Sequence, residues 1–257
     1  MELDTLTLSK QKTQSGTSLI TCCMDRNENL YESLSSWELV NELTEIIIVD
    51  WSSANAVRDY IIKHDFKIPI KVIRAKNQKQ WILSRAFNLG ISFASFDKIL
   101  KIDADVKVCS NFLEIYKLNN NEFFQGSWTL AREPNEDHLH GQLFCWLKNF
   151  WDINGYHENI KTYGYDDDDL YSRLIENGIK SNLISPEHIS HIVTPHSYRT
   201  KNQPYFFGKQ TKLSDLQNSQ RKNKLYCKFN PWTNNKKRLN YKIKNIAENY
   251  YECDLIS

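Results

Sequence analysis

The stretch KILKIDADVKV, residues 98–108, decides the fold of this chain. Three of its first five residues are Ile or Leu, a short apolar run of the kind that a buried β-strand carries. The run stops at Asp103 and Asp105, which are separated by one residue. That spacing turns both side chains to one side of an extended segment. The sequence therefore predicts two neighbouring carboxylates at the carboxyl end of a buried strand.

Two carboxylates at the end of a buried strand are costly unless a cation or hydrogen-bond donors satisfy them. Hard oxygen ligands suit Mg²⁺ or Mn²⁺, and these ions in turn suit a diphosphate. We therefore predict that Asp103 and Asp105 hold a divalent ion. The alternative is a strand that ends in a solvated acidic turn.

Length and composition fit one large α/β domain, or a domain with an appendage. The chain has 257 residues, 40% of them hydrophobic, and a formal net charge of +2, which argues against a general polyanion binder. Its six cysteines show no metal-ligand spacing and are interpreted as reduced thiols of a cytosolic protein. No apolar stretch approaches the length of about 18 residues that a membrane span needs.

Strands and helices alternate in the first half, the pattern of an open α/β sheet. Strands are predicted over residues 18–23, 45–49, 70–73 and the run before Asp103, and helices over residues 30–43, 54–64 and 80–95. The chain has no G-x-G-x-x-G after the first strand and no G-x-x-x-x-G-K-[ST]. These absences argue against a dinucleotide-dependent dehydrogenase and against a P-loop NTPase.

Polar residues follow the ends of several predicted strands. Asp25 and Arg26 follow the first strand and Asp50 follows the second, in addition to the two aspartates already described. In open α/β sheets ligands bind outside the carboxyl ends of the strands, so a shared nucleotide crevice explains these positions. Acceptors for strand-end turns are the alternative for Asp25 and Asp50.

Four consecutive aspartates mark the second half, within TYGYDDDDLYSRL, residues 162–174. Like charges repel, so the run is either the acidic first turn of a helix or a functional cluster. Its position directly after an aromatic-Gly-aromatic loop favours a site.

Six motifs follow one another along the chain, at residues 21–30, 49–53, 83–90, 103–105, 154–170 and 195–204. In this order they resemble the motifs of GT-A fold glycosyltransferases, in particular family 2 enzymes and the β-1,4-galactosyltransferase group. Residues 49–53 resemble "V-D-x-x-S", residues 83–90 resemble "S-R-A-x-N-x-G", and residues 103–105 match the DxD motif. Residues 154–170 are similar to "N-G-Y … W-G-G-E-D-D-D" and residues 195–204 to "R-H-S … K-N-E-P".

The resemblance implies an α/β, Rossmann-like GT-A domain with a mixed, mostly parallel sheet flanked by helices. It covers residues 18–204, with a nucleotide-sugar half at 18–108 and an acceptor half at 109–204. Residues 1–17 are expected to form a flexible leader, and residues 205–257 a basic, aromatic C-terminal extension.

On the donor side the resemblance implies a UDP-sugar and a Mn²⁺ or Mg²⁺ ion. Residues expected to bind the nucleotide-sugar are Asp25, Arg26, Asp50, Arg85 and Asp103. Asp105 would hold the ion on both phosphates, and His196 would complete its shell. His188 and His191 are nearby competitors for that place. A surface arginine of a helix is the alternative for Arg85.

On the acceptor side the motif match makes Asp167 the general base that takes the proton of a sugar hydroxyl. A base opposite the leaving diphosphate implies a single displacement with inversion. Asp166, Tyr163 and Tyr165 would bind the acceptor, and the two aspartates after Asp167 would cap the helix. Tyr163, Tyr165 and Asp166 stand where the galactosyltransferases have Trp, Gly and Glu, so donor and acceptor preference are not inherited.

The predicted extension is basic and aromatic, with eleven Lys or Arg against one Asp between residues 209 and 244. This composition fits an anionic membrane surface or single-stranded nucleic acid, and a solvated basic helical appendage is the alternative. A lipid-linked acceptor favours the membrane. We therefore expect a cytoplasmic protein with peripheral contact at the inner face of the membrane, and no nucleic-acid partner.

The predicted activity is metal-dependent, inverting transfer of a sugar from a UDP-sugar to a hydroxyl of a glycan or glycolipid. A sugar-phosphate nucleotidyltransferase shares the crevice and the metal, but the chain lacks a G-G-x-G-T-R-L loop after the first strand. A noncatalytic carbohydrate-binding protein with the same fold is the other alternative. The presence of Asp103, Asp105, Asp167 and His196 argues against it, because binding alone needs no base.

Overall fold

The computed structural model describes residues 4, 13–193 and 212–256, apart from the side chain of Leu213. The strands of these residues are β1 (Gln14–Cys23), β2 (Glu45–Asp50), β3 (Ile70–Ala75), β4 (Phe96–Lys101), β5 (Val106–Val108), β6 (Glu122–Gln125), β7 (Leu143–Trp146), β8 (Lys180–Leu183), β9 (Ile189–His191), β10 (Tyr241–Ala247) and β11 (Tyr250–Leu255). The helices are α1 (Asn27–Trp37), α2 (Arg58–Ile61), α3 (Leu83–Ser92), α4 (Phe112–Ile115), α5 (Leu147–Asp152), α6 (Asp166–Glu176) and α7 (Leu213–Phe229).

One nine-stranded sheet with the order β10-β11-β3-β2-β1-β4-β7-β6-β8 forms the centre of the molecule. The strands from β11 to β4 in this order are mutually parallel, and so are β6 and β8. β7 runs antiparallel to its neighbours β4 and β6, and β10 runs antiparallel to β11. This mixed, mostly parallel sheet with flanking helices confirms the predicted α/β, Rossmann-like GT-A fold.

The central strands are buried because their side chains are apolar on both faces. All six residues of β2 are buried, and so are the last seven residues of β1. Helix α3 packs closely on this sheet at Gly90, where an added Cβ would lie 2.8 Å from Cγ2 of Val49 and 2.9 Å from Cγ2 of Ile20. Because β2, β1 and β4 pair in parallel, their carboxyl ends lie at one edge of the sheet, where the predicted site residues follow.

A small antiparallel sheet of β5 and β9 lies next to this edge. Its register pairs Val106 with His191, and the amide of Ile192 donates to the carbonyl oxygen of Asp105 at 2.8 Å. The pairing brings a histidine from far along the chain beside the DxD motif.

The predicted helices exist but are shorter than their apolar spacing indicated. The helix expected over residues 54–64 is α2, only four residues long. Its start is delayed because the Asp50 carboxylate accepts from the amides of Ser53 and Val57, which holds the intervening chain in a turn. Likewise α1 ends at Trp37, whose indole Nε1 donates to the carbonyl oxygen of Val106.

Both ends of the predicted domain need correction. β1 begins at Gln14, inside the predicted leader of residues 1–17, because its first residue already pairs with Phe96 of β4. At the other end β11 joins the large sheet by parallel pairing with β3, with Tyr250 opposite Val72. Residues 241–255 are therefore part of the main sheet and not of a separate extension. Within the described residues, no helix combines the length and the apolar character that crossing a bilayer requires.

Candidate active site

The first aspartate of the DxD motif is held by hydrogen-bond donors of the protein. Gln142 Nε2 donates to Asp103 Oδ2 at 3.0 Å, while the Asp103 amide donates to Gln142 Oε1 at 2.9 Å. Lys101 Nζ donates to Asp103 Oδ1 at 2.9 Å. With 31% of its side chain exposed, Asp103 is fixed in position yet still reaches solvent. A merely solvated turn would not need these partners.

The second aspartate, Asp105, is 5% exposed. Its Oδ2 lies 3.0 Å from Arg26 Nη1 and 3.3 Å from His191 Nε2. The other ring nitrogen of His191, Nδ1, lies 2.7 Å from Asn135 Oδ1. The amide oxygen accepts a hydrogen bond from Nδ1, which favours the tautomer whose Nε2 lone pair is available to a metal ion.

Three histidines were considered in the sequence as the metal ligand beside the DxD motif. His196 lies outside the described residues. His191 lies beside Asp105, as the pairing of β5 with β9 requires. His188 instead forms a 2.7 Å hydrogen bond between its Nδ1 and Tyr116 Oη. Of the two competitors, the structure therefore brings His191 to the DxD motif and not His188.

The chemistry of Asp105 and His191 fits a Mn²⁺ or Mg²⁺ ion. Neighbouring ligands of an octahedral ion, each about 2.1 Å from it, lie about 3.0 Å apart, close to the 3.3 Å between these two atoms. Within the described residues no group of three or more His, Cys, Asp or Glu side chains forms a complete metal site. Substrate phosphates and water would have to supply the remaining ligands, as is usual for these ions.

Lys101 is a buried cation at the centre of the site. Its side chain is 0% exposed, and its Nζ donates to the carbonyl oxygen of Gly141 at 2.6 Å as well as to Asp103. The same atom lies 3.5 Å from Asp167 Oδ1 and 4.5 Å from the ring centre of Phe87. Burial alone would lower the pKa of Lys101, but Asp103 and Asp167 hold it above its usual value. One ammonium group therefore joins the DxD motif to the predicted base.

Asp167 lies in the first turn of α6, with 14% of its side chain exposed. Tyr156, which is 0% exposed, donates from its hydroxyl to Asp167 Oδ1 at 2.8 Å. Within the described residues Oδ2 of Asp167 has no hydrogen-bond donor, so it is the oxygen that can take a proton from a ligand. Burial raises the pKa of Asp167, while Lys101 lowers it.

Asp166 is also buried, at 7% exposure. Burial raises the pKa of its carboxyl group, and the charge of Asp167 raises it further. The two adjacent carboxyl groups therefore hold a proton more readily than isolated ones.

The two following aspartates do not cap the helix as expected. The N-cap position is Tyr165, and the structure shows no side-chain hydrogen bond there. Asp168 Oδ1 pairs with His140 Nε2 at 3.1 Å, and Asp169 Oδ2 pairs with Arg173 Nη2 at 2.7 Å. Asp167, Asp168 and Asp169 therefore have different partners, and the local sequence does not reveal them.

The helix with the sequence LSRAFNLG, predicted to lie near a diphosphate, holds a loop of the acceptor half. Ser84 Oγ and Arg85 Nε donate to carbonyl oxygens of that loop, at Ile160 and Glu158. Asn88 Nδ2 donates to the Tyr156 carbonyl oxygen at 2.9 Å. Within the described residues Arg85 makes no hydrogen bond or ion pair with either aspartate of the DxD motif. Arg85 therefore has a structural role in holding this loop, and its contact with a nucleotide-sugar stays a prediction.

Asp25 and Asp50 are turn acceptors in the structure. Asp50 is 1% exposed, with Oδ1 accepting from Ser53 and Oδ2 from Val57 and Arg74. Asp25 Oδ1 accepts from the amide of Ala54 at 2.7 Å. These bonds tie the ends of β1 and β2 together, and a nucleotide contact by either residue stays a prediction.

Two sequence patterns match this chain. The pattern of glycosyl transferase family 2 matches residues 18–155, more than half of the chain. The chain belongs to glycosyl transferase family 2. A second pattern, described as the N-terminal domain of galactosyltransferase, matches residues 131–197. No protein with curated annotation is similar enough in sequence to count as a relative.

Solved structures of glycosyltransferases have the same fold as this family 2 member. The catalytic domain of Drosophila β1,4-galactosyltransferase 7 with xylobiose has a TM-score of 0.57 at 14% identity, over 95% of this chain and 94% of that chain. TarS from S. aureus with UDP has a TM-score of 0.57 at 14% identity, over 72% and 62%. A mannosyltransferase from Pyrobaculum calidifontis with GDP-Man and Mn²⁺ has a TM-score of 0.57 at 11% identity, over 84% and 74%.

The departure from the galactosyltransferases at Tyr165 has a structural consequence in this family 2 member. Tyr165 has φ +73°, in the left-handed region that a glycine adopts without strain. A bulky residue there costs about 1–3 kcal/mol and is typical of functional sites. Helix α7 holds the loop that precedes Tyr165 in place. Ser219 Oγ and Asn223 Nδ2 of this helix donate to the carbonyl oxygen of Tyr163 at 2.8 and 3.2 Å.

Sequence reasoning missed several members of this site. They are Lys101, His140, Gln142 and Asn223. The signal for Lys101 was present, since a lysine next to the motif in an otherwise apolar buried strand needs a counter-charge. The others lie on loops or a distant helix, and only the fold brings them together.

Proposed function

We propose that this family 2 member transfers a sugar from a UDP-sugar to a hydroxyl of a glycan or glycolipid acceptor, with inversion and with Mn²⁺ or Mg²⁺ as cofactor. The observation that carries the proposal is the convergence of both halves of the site on Gly141. A Cβ added there would lie 3.0 Å from Asp167 Oδ2 and 3.3 Å from Asp103 Oδ2. The predicted base and the DxD motif therefore face one small space.

On the donor side, Asp105 and His191 would hold the ion, and Asp103 would bind the ribose or a water molecule of its shell. When bound, the ion neutralises the charge that develops on the leaving diphosphate. Arg26 pairs with Asp105 in the present structure. If a cation took its place on that carboxylate, the guanidinium would be released beside the diphosphate, where it can bind phosphate oxygens.

On the acceptor side, Asp167 Oδ2 would accept the proton of the attacking hydroxyl. The acceptor oxygen then forms its bond to the anomeric carbon while the bond to the diphosphate breaks on the opposite face, and UDP leaves. Tyr156 and Lys101 fix Oδ1 and so orient Oδ2 toward the acceptor. Asp166, Tyr163 and Tyr165 would contact the acceptor sugar.

The choice of donor and ion is supported by the neighbours in fold. A mutant of the Drosophila galactosyltransferase was solved with manganese, UDP-Gal and xylobiose, and TarS was solved with UDP-GlcNAc. The Pyrobaculum mannosyltransferase carries GDP-Man and Mn²⁺ instead. UDP is thus the first nucleotide to test, with GDP as the comparison.

We expect UDP to raise the melting temperature of the wild-type protein when Mn²⁺ is present and to do so much less with EDTA. Ligand at about a hundredfold excess over its Kd stabilises by about 2.7 kcal/mol, which is several degrees for a chain of this size. Asp105→Ala and His191→Ala should each lose most of this shift, because they remove the two groups that fit the ion. Differential scanning fluorimetry of each variant with and without UDP measures it.

His188→Ala is the matched control, since His188 lies on the same segment but bonds to Tyr116. It should keep the full UDP shift. An Asp105→Ala protein that binds UDP with the same Mn²⁺ dependence as the wild type would refute the metal site.

A cytoplasmic location and peripheral contact with an anionic membrane stay predictions. Tyr226 and Phe229 of α7 are 41% and 71% exposed, and Lys222 shares their face of the helix. Exposed rings beside a basic residue are typical of helices that lie at a membrane surface. Arg221, Lys224 and Lys228 lie on another face of α7.

A further inference from the structure

A groove of about 540 Å³ lies between α6 and α7. That volume is within the range of about 300–1,000 Å³ that small-molecule sites occupy. The α6 wall includes Tyr165 and Glu176, and the α7 wall includes Arg221, Lys224 and Lys228. The residues proposed to hold the metal ion do not line this groove, and neither does Asp167. One end of the groove is at Tyr165, two residues before Asp167.

Helix α7 is fixed on the loop that leads to the base. Asn223 Nδ2 donates to the Gly164 carbonyl oxygen at 2.7 Å, and its Oδ1 accepts from the hydroxyl of Thr162 at 2.9 Å. Ser219 Oγ donates to the carbonyl oxygen of Tyr163 at 2.8 Å. Ser219, Asn223 and Cys227 are the buried stripe of α7, one turn apart. The helix is therefore part of the acceptor side of the site, and its groove-facing residues have a defined position.

The α7 wall of the groove carries three exposed cations. Arg221, Lys224 and Lys228 are exposed, and within residues 13–193 and 212–256 none of them pairs with a carboxylate. On the α6 side, Arg173 and Asp169 neutralise each other at 2.7 Å, which leaves Glu176 as the acidic residue. The groove thus has an excess of positive charge along one wall.

One of these cations lies near a predicted acceptor residue. Lys224 Nζ lies 6.0 Å from the ring centre of Tyr165, the residue at the helix N-cap. Asp167 and the groove-lining Asp169 lie two residues apart on α6 and so on opposite faces of it. An acceptor chain that presents a hydroxyl to Asp167 would cross the N-terminal end of α6 at Tyr165 before its next units reach the α7 wall. A charge on those units would meet Lys224 first and then Lys228.

We propose that this groove is a subsite for an anionic acceptor glycan, which it binds through phosphodiester or carboxylate groups of the units next to the reacting sugar. The proposal rests on the proposed function, since it takes the chain that presents a hydroxyl to Asp167. It assigns to Arg221, Lys224 and Lys228 the selection of a charged acceptor over a neutral one. Rows of cations along a groove attract such chains in a salt-dependent manner.

Binding can be measured without turnover, using defined probes and isothermal titration calorimetry. The probes are hexagalacturonate as a carboxylate chain, its full methyl ester as the uncharged match, and a glycerol phosphate hexamer as a phosphodiester chain. We expect at least one anionic probe to bind the wild type and the ester to bind at least tenfold more weakly. Because each exposed charge pair contributes modestly, Lys224→Gln/Lys228→Gln should weaken anionic binding about tenfold.

Lys222→Gln is the matched control, because it removes the same charge from the same helix outside the groove lining. Its binding should stay within about twofold of the wild type. The proposal is overturned if neither anionic probe binds, if the ester binds as well as the acid, or if Lys222→Gln loses as much as the groove variant. It is also overturned if the groove variant binds the probes normally but no longer sediments with phosphatidylglycerol vesicles, which would assign these cations to a membrane.

The UDP and Mn²⁺ melting shift, measured on the same samples, separates this proposal from the proposed function. The groove variant should keep the full shift, because its residues lie on the acceptor side. Probe binding together with a missing UDP shift in the wild type would refute the transferase while the groove remained a glycan site. A normal shift without probe binding would refute the groove alone.

Discussion

Asp167→Asn should retain the fold and lose about 10²- to 10⁴-fold of turnover, the usual contribution of a general base. The amide keeps the size of the carboxylate and can still accept from Tyr156, but it cannot take the proton of the acceptor hydroxyl. Donor binding should hardly change, because the groups proposed to hold the ion and the nucleotide are Asp105, His191 and Asp103 and not Asp167. Turnover at saturating donor and acceptor, together with the UDP melting shift, measures both effects.

Asp168→Asn is the control for this experiment. It removes the next carboxylate of the same run, whose partner is His140. Its turnover should fall far less than that of Asp167→Asn. If Asp167→Asn works at a near-normal rate, it is not the base, and Asp166 becomes the candidate.

Lys101→Met should destabilise the protein by about 3–5 kcal/mol, because it removes one side of a buried charge cluster and leaves carboxylates without their counter-charge. Lys101 is fully buried, and both Asp103 and Asp167 lie within 3.5 Å of its ammonium group. Urea unfolding at neutral pH measures the loss. Lys98→Met is the matched control, since Lys98 lies on the same strand, is only partly buried and has its Nζ 5.9 Å from the Trp146 ring centre. It should cost less than about 1 kcal/mol.

The cost of Lys101→Met should also depend on pH. Burial already raises the pKa of Asp167, and Lys101 acts against that rise. Without Lys101 the folded-state pKa rises further above the unfolded value, so the folded protein binds protons more tightly than the unfolded chain. The loss of stability should therefore be full above the raised pKa and shrink as pH falls toward the ordinary carboxyl range near about 4. A cost equal to that of Lys98→Met, or one that does not change with pH, would contradict the role of Lys101.

The sequence was most informative where local chemistry is unusual. One example is the buried strand that ends in Asp103 and Asp105, and the other is the run of four aspartates after an aromatic-Gly loop. Both patterns predicted that these carboxylates belong to a functional site. The structure brings Asp103 and Asp167 close to the same point beside Gly141, so the two separate motifs lie together. The alternating strands and helices likewise predicted the sheet, because apolar runs such as β2 are buried on both faces.

The sequence was least informative where a partner comes from a distant segment. Asp50 was assigned to a nucleotide, yet Arg74 of the neighbouring strand and two loop amides occupy its carboxylate. His191 was one of three histidines until the register of β5 with β9 placed it beside Asp105. These contacts depend on strand order and register, which no local pattern encodes.

Helix α7 shows the same limit on a larger scale. Its basic and aromatic composition predicted an extension separate from the main domain. Asn223 and Ser219 instead bind the backbone of the loop before Asp167, and β11 completes the sheet beside β3. The composition of α7 indicated the character of its exposed residues. Its position on the domain depends on its buried polar residues, Ser219 and Asn223, which composition does not single out.

The most direct test is the transfer of the sugar to water with release of UDP, from a panel of UDP-sugars by the wild-type protein, with Mn²⁺ and with EDTA. NMR reads the anomeric configuration of the freed sugar during the reaction, before it mutarotates. The account predicts UDP release from at least one donor, its loss with EDTA, and a product whose anomeric configuration is opposite to that of the donor. No release from any UDP-sugar in the presence of Mn²⁺, or a product with the donor's configuration, would contradict it.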